Sequence, residues 1–192
     1  MEEFIAFLND ITPVSDELLQ YLPTIMVLQR YQKNEFIAKD SLVSNRYYFV
    51  VNGLVRYYYI YRGQDISKWF FTNNDVIAFN QYCQKNNPSD EHLIAYRPTT
   101  ILSVSIATLS VSYSKYPALE HYGRIIAEKY GALWFCILDG IRLKTAQERT
   151  TFLKEEFPDL VNMIPIRHLA ACIDLNPYTL IKARPNRSRY AK

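Results

Sequence analysis

Up to Ser105 the apolar side chains come in short runs broken by turn residues, whereas after Pro117 they recur at helical spacing. Thr24–Tyr31 follows Pro23 and is rich in β-branched and apolar residues, so it reads as a strand. Tyr47–Val51 and Leu54–Tyr61 flank Asn52-Gly53, two residues that both tolerate positive φ, and a tight hairpin is expected there. Arg62-Gly63-Gln64-Asp65 leads into a strand at Ile66–Phe71, and Thr72-Asn73-Asn74-Asp75 into Val76–Phe79. Asn86-Asn87-Pro88 marks a loop before Glu91–Tyr96 and Thr100–Ser105. Short strands with a turn signal every 8–12 residues or so predict a sandwich or barrel.

Between Ala118 and Phe157 there is no proline, and Leu119, Tyr122, Ile125, Ile126, Leu133, Trp134, Ile137, Leu138 and Ile141 follow the helical period. That stripe is wider than packing on one neighbour requires. A long helix touching its own strands on one side and a partner helix on the other accounts for it, with burial inside a monomer as the alternative. Asp139-Gly140 is a candidate break, since glycine costs a helix interior about 1 kcal/mol against alanine. A second helix is then expected from about Thr145 to Phe157, ending before Pro158.

Composition narrows the class. The chain has 192 residues, 49% hydrophobic and 21% charged, which suits one medium or two small globular units and excludes a disordered or fibrous chain. Met1-Glu2-Glu3 is acidic where a signal peptide would be basic, and no run has the length of a membrane span. Cys83, Cys136 and Cys172 are odd in number and widely spaced, which gives neither a disulfide framework nor a CxxC site. They read as buried small hydrophobes in a cytoplasmic protein. The net charge of +3 hides an asymmetry. Residues 143–192 carry nine Lys/Arg against five Asp/Glu, while residues 1–142 carry 13 against 14. The last eleven residues hold Lys182, Arg184, Arg187, Arg189 and Lys192 with no acid.

The basic end follows a capped helix pair. Pro165 suits the first turn of a helix running to about Ile173, Asp174 and Leu175 form a tight turn, and Asn176-Pro177 makes a strong N-cap and first turn. Two short helices joined by such a turn are a helix-turn-helix. Leu169, Ile173, Leu175, Leu180 and Ala183 supply a small core, with Ala170 allowing close approach. Tyr178, Thr179, Ile181, Lys182 and Arg184 are left on or after the outer face of the second helix, residues suited to a major groove.

The run from Ala170 to Arg184, Ala-Ala-Cys-Ile-Asp-Leu-Asn-Pro-Tyr-Thr-Leu-Ile-Lys-Ala-Arg, resembles the helix-turn-helix of the Crp/Fnr superfamily of bacterial transcription regulators. It is most similar to the Bacteroidetes-type branch. Ala146-Gln-Glu-Arg149, Phe152-Leu153, Phe157-Pro158 and the strands around Asn52-Gly53-Leu54-Val55-Arg56 resemble that branch in the same order. The resemblance implies an α+β fold: an antiparallel, cupin-like β-roll (1–116), a long dimerisation helix (117–142) and a helix-turn-helix domain (143–192). It also implies a cytoplasmic homodimer on a palindromic duplex, with Asn176, Tyr178, Thr179, Ile181, Lys182, Arg184, Arg187 and Arg189 toward DNA. No catalytic role, metal or cofactor is expected.

The departures are chemical. The family's turn glycine is Asp174, and its recognition-helix Ser-Arg is Ile181-Lys182, where a point charge replaces a bidentate fork. Where cyclic-nucleotide-binding members carry Gly-Glu and Arg-Ser, this chain has Ala78-Phe79 and Ser89-Asp90. Phe79 accepts no ribose hydrogen bond and Asp90 repels a phosphate, so cyclic AMP does not fit. Arg56, Phe79, Tyr82, Tyr96 and Arg97 are the candidates to line a pocket for another small effector. No amino-terminal cysteine cluster supports an iron–sulfur sensor. His92, His121 and His168 show no ligand spacing, His168 reads as exposed or partly packed, and no nucleophile or P-loop motif occurs. The rival function is an effector-binding or protein-interaction β-roll with a vestigial head and a merely solvated basic tail.

Overall fold

The computed structural model describes residues 1–39, 45–78, 91–142 and 145–183, with 181–183 as backbone only. Two helices precede the strands: α1 (Glu2–Asn9) and α2 (Asp16–Ile25). The strand expected over Thr24–Tyr31 is shorter at its start. Thr24 and Ile25 end α2, which Ser15 caps by accepting the Leu18 N–H at 3.4 Å, and β1 is Val27–Tyr31. Pro23 stands inside this helix rather than before a strand.

The remaining strands are β2 (Phe36–Lys39), β3 (Arg46–Asn52), β4 (Leu54–Tyr61), β5 (Gln64–Thr72), β6 (Val76–Ile77), β7 (Glu91–Ala95) and β8 (Thr99–Ser105). They form two antiparallel four-stranded sheets, β1-β8-β3-β6 and β2-β7-β4-β5. The hairpin expected at Asn52-Gly53 is not one. Strands β3 and β4 lie in different sheets, and Gly53, at φ +129°, carries the chain from one to the other. A Cβ at Gly53 would stand 2.4 Å from Thr99 Oγ1, so only glycine passes β8 this closely. The tight hairpin is Arg62-Gly63, between the paired residues Tyr61 and Gln64. Both turn residues have positive φ, 52° and 77°, as a two-residue loop with right-handed strand twist requires.

Tyr48, Val50, Val55, Tyr57, Leu93, Ala95 and Ile101 belong to one buried cluster. Phe49, Val76 and Leu102 belong to a second, covered by Phe7, Leu8, Leu18, Leu22, Leu119 and Tyr122. Helix α3 (Ile106–Lys115) follows β8, capped by Ser105, and α4 (Pro117–Arg142) is one 26-residue helix. Tyr130 ties α4 to the sheet. Its hydroxyl accepts the Val76 N–H at 2.7 Å and donates to Asp75 Oδ1 at 3.2 Å.

Asp139-Gly140 does not break α4. Gly140 is buried against Phe152, and an added Cβ would meet the ring at 2.5 Å. Beyond it lie α5 (Ala146–Glu156), α6 (Pro158–Met163), α7 (Ile166–Cys172) and α8 (Pro177–Ala183). Thr145 and Glu148 form a reciprocal capping box that starts α5. No helix among the described residues is long and apolar enough to cross a membrane.

Replacing Gly140 by alanine therefore opposes two effects. Helix propensity favours the variant by about 1 kcal/mol, and overpacking against a buried ring costs about 1–3 kcal/mol. The expected outcome is a lower midpoint of denaturant unfolding for Gly140→Ala than for the parent. A raised midpoint would mean that the ring moves aside freely.

Candidate functional site

The capped helix pair is built as its sequence suggests, with one brace that the sequence did not announce. Asn176 Oδ1 accepts the Tyr178 N–H at 2.9 Å, and the Asn176 carbonyl accepts Thr179 and Leu180 N–H groups. Asp174 occupies the left-handed region at φ 51°, the conformation for which a glycine would be used. Leu175 N–H closes the turn onto the Ala170 carbonyl at 2.9 Å. Arg149, from α5, donates to the Asp174 carbonyl at 3.2 Å and to that of Ile173 at 3.4 Å. Leu169, Ile173 and Leu180 are buried, Leu175 is half-buried, and Tyr178 is 76% exposed. Asn176 is exposed and Thr179 half-buried. Ile181 and Lys182 lie in α8 without described side chains, and Arg184, Arg187 and Arg189 lie outside the described residues.

Helix α7 also packs against β5, so the helix pair is docked on the sheet that carries Arg56. His168 is buried there, contrary to the exposed or partly packed position expected for it. Its ring lies 6.0 Å from that of Phe70 and 5.7 Å from that of Tyr96. Nδ1 is 3.1 Å from Ser67 Oγ, and Nε2 accepts from Arg167 Nε at 3.3 Å. Ser67 Oγ also accepts from Arg56 Nε at 2.8 Å. The Arg56 guanidinium grips both Asp65 oxygens, at 3.0 and 3.1 Å, and holds that carboxyl below its ordinary range. Burial, then the charges of Arg56 and Arg167, push His168 down to about 4, so it is neutral at pH 7.

Arg56 and Tyr96 share a cleft of about 370 Å³ with Asn34, Ser67, Arg167 and His168, between the sheet and α7. Arg97 turns instead to the Met163 carbonyl, at 3.4 Å. Phe79, Tyr82, Ser89 and Asp90 lie outside the described residues. Ser67, His168 and Arg149 were missed as site residues. The available signal was α7 itself: Arg167 is its one charged residue, and a helix apolar nearly all round is covered on more than one side.

On α4, Trp134, Phe135 and Leu138 are exposed although apolar, Phe135 to 71%. Trp134 still touches its own domain, edge-on to Trp69 at 5.6 Å. Cys136 is exposed, not buried as its residue type suggested. Cys172 is half-buried beside the main core, and burial pushes its thiol up to about 12, which leaves it unreactive at neutral pH. Among the described residues no group of three or more His, Cys, Asp or Glu side chains is placed to hold a metal.

The buried neutral His168 has a pH consequence. Between pH 6.5 and about 4 the unfolded chain takes up a proton that the folded chain refuses. Stability therefore falls as pH is lowered across that window, by at most about 1.4 kcal/mol per unit. His168→Asn removes the titration, so the variant's unfolding free energy should depend less on pH than the parent's between pH 6.5 and 4. Parallel curves for the two proteins would show that this imidazole titrates normally in the fold.

No protein-family model and no curated protein sequence matches the chain. Solved structures do. FixK2 from Bradyrhizobium japonicum superposes with a TM-score of 0.65 at 20% identity, over 83% of this chain and 82% of that one. A mutant of CooA from Carboxydothermus hydrogenoformans gives 0.63 at 16%, over 85% and 76%. A protein from Eubacterium rectale, described as a transcriptional regulator of the Crp/Fnr family, gives 0.63 at 13%, over 92% and 83%. At these identities the likeness is one of architecture: the chain has the Crp/Fnr fold, a two-sheet β-roll followed by a long helix and a carboxy-terminal helix-turn-helix.

Proposed function

We propose that the chain is a homodimeric, sequence-specific DNA-binding transcription regulator of the Crp/Fnr type. In this reading residues 1–116 are the sensor or scaffold, 117–142 the dimer seam and 143–192 the DNA reader. The observation that carries it is α8: a capped helix with its buried side on α5 and α7, Tyr178 in solvent, and the basic run Lys182–Lys192 beginning at its end. A helix N-terminus and a small, braced turn present that face to a major groove, while the following arginines meet phosphates. Asn176, Tyr178, Thr179, Ile181, Lys182 and Arg184 are the groove residues, and Arg187 and Arg189 the phosphate residues.

A second copy of the chain is the partner that suits α4. The exposed Phe135 and Leu138 lie three residues apart on the helix, and pairing with the same stripe would remove both from water. Two readers then stand about 34 Å apart and match a palindrome with half-sites one helical turn apart. An effector in the β-roll would act by favouring one arrangement of the α4 pair over another. Phe79 and Asp90 argue that this effector is not cyclic AMP.

Two experiments test this. Selection of duplex DNA with the purified chain should enrich a palindrome. Tyr178→Ala should then relax base preference at particular positions, while Arg187→Ala weakens all sequences alike and lowers the salt slope by about 0.9. No enrichment at low salt would leave the β-roll interaction module as the better reading. Separately, Phe135→Asp should give a monomer in sedimentation and lose about 100-fold or more in palindrome affinity, as the linked second half-site is lost. A dimeric Phe135→Asp variant would place the seam elsewhere.

A further inference from the structure

The contact between α7 and the β-roll contains a directed polar chain where apolar packing alone would suffice. Ser67, Arg56 and His168 are each more than nine-tenths buried. Arg167 Nε donates to His168 Nε2, so the single proton of the neutral imidazole sits on Nδ1 and is donated to Ser67 Oγ, 3.1 Å away. Arg56 Nε donates to the same oxygen, and Asp65 grips the rest of that guanidinium. Each of these hydrogen bonds, from Asp65 to Arg167, thereby has one direction.

The neighbouring ring contacts, from Phe70 and Tyr96, are non-directional and tolerate a slide or a small rotation of α7. A buried chain of hydrogen bonds does not, because each displaced donor loses its partner without gaining water. Helix α7 passes into α8 through a turn that Arg149 clamps, so the angle of α7 on the sheet is the angle of α8.

We propose that Ser67 and His168 are positioning residues that fix the angle of α8 on the β-roll, and through it the separation of the two recognition helices in a dimer. This role rests on the DNA-reading function proposed above. Neither residue touches DNA. They select operator spacing, not operator sequence.

The test uses the full chain and duplexes in which the selected half-sites are kept and the spacer is varied. An asparagine at 168 places its amide nitrogen where Nδ1 stood, whereas a glutamine places it where Nε2 stood. The parent and His168→Asn should favour one spacing over its neighbours by about tenfold, and Ser67→Ala and His168→Gln should favour it by about twofold or less. All four should select the same half-site and remain dimeric. Full spacing preference in Ser67→Ala and His168→Gln, or equal behaviour of the asparagine and glutamine variants, overturns the proposal.

A DNA-free measurement separates the two ideas. Spin labels at the exposed positions Lys33 and Asp159 are placed in a chain whose native cysteines are alanine. They should report a narrow distance distribution for the parent and His168→Asn, and a broad one for Ser67→Ala and His168→Gln. Equal widths overturn the positioning role whatever the DNA result. Narrow-to-broad widths in a parent that enriches no duplex would leave the positioning intact and remove the DNA-reading function.

Discussion

The carboxy-terminal half of the molecule depends on α7 being covered from two sides. Seven residues of helix are too short to be stable alone, and an isolated helix of that length does not pay its nucleation cost. Leu169 and Ala170 are buried in the cluster that Leu180 of α8 joins, and His168 is buried against Ser67 of β5. One continuous apolar cluster consequently runs from Val55 and Phe70 in the β-roll to Ile173 and Leu180 in the helix pair. Without the sheet, the helix pair would expose part of this shared cluster. The docked arrangement is the one in which both faces of α7 leave water.

The strands from β3 onward and the long helix were legible from local signals: β4 is an apolar run bounded by Gly53 and Arg62-Gly63, and α4 keeps the helical period from Pro117 to Arg142, whereas β2 (Phe36–Lys39) carried no such signal and was not expected. Pairing was not legible. Asn52-Gly53 and Arg62-Gly63 are both turn signals, and only the crowding of Gly53 against Thr99 decides that the first changes sheet while the second closes a hairpin. Crowding of that kind comes from residues far apart in sequence. Gly140 makes the same point: its propensity says break, and Phe152, twelve residues later, fills the gap and keeps the helix.

The site divides in the same way. Asn176, Pro177 and Tyr178 could be placed from sequence because capping is local chemistry. Asp174 in the left-handed region was also a local matter, although its tolerance there depends on the carbonyl hydrogen bonds from Arg149, 25 residues earlier. Ser67 and His168 are separated by 101 residues, and nothing along the chain marks either as the other's partner. A lone serine in a strand and a lone histidine in a helix acquire their meaning only from the fold.

These attachments also decide how the head can move. Among the described residues it meets the rest of the molecule on two sides: along α4, where Phe152 packs on Gly140, and along the β-roll, where His168 meets Ser67, Phe157 stands edge-on to Trp69 and Arg97 reaches the Met163 carbonyl. A body held at two points cannot turn about one without breaking the other. The first contact is close-packed and apolar, so opening it leaves a cavity beneath an aromatic ring. The second is polar at its centre, where Ser67, Arg56 and His168 are buried, so parting it leaves their hydrogen bonds unmade. Both contacts therefore resist a change in the angle of α7. Apolar packing tolerates a small slide, whereas the polar contact fails when one donor is displaced, so on the function proposed above the β4–β5 surface sets the angle of α8 more sharply than the α4–α5 junction does.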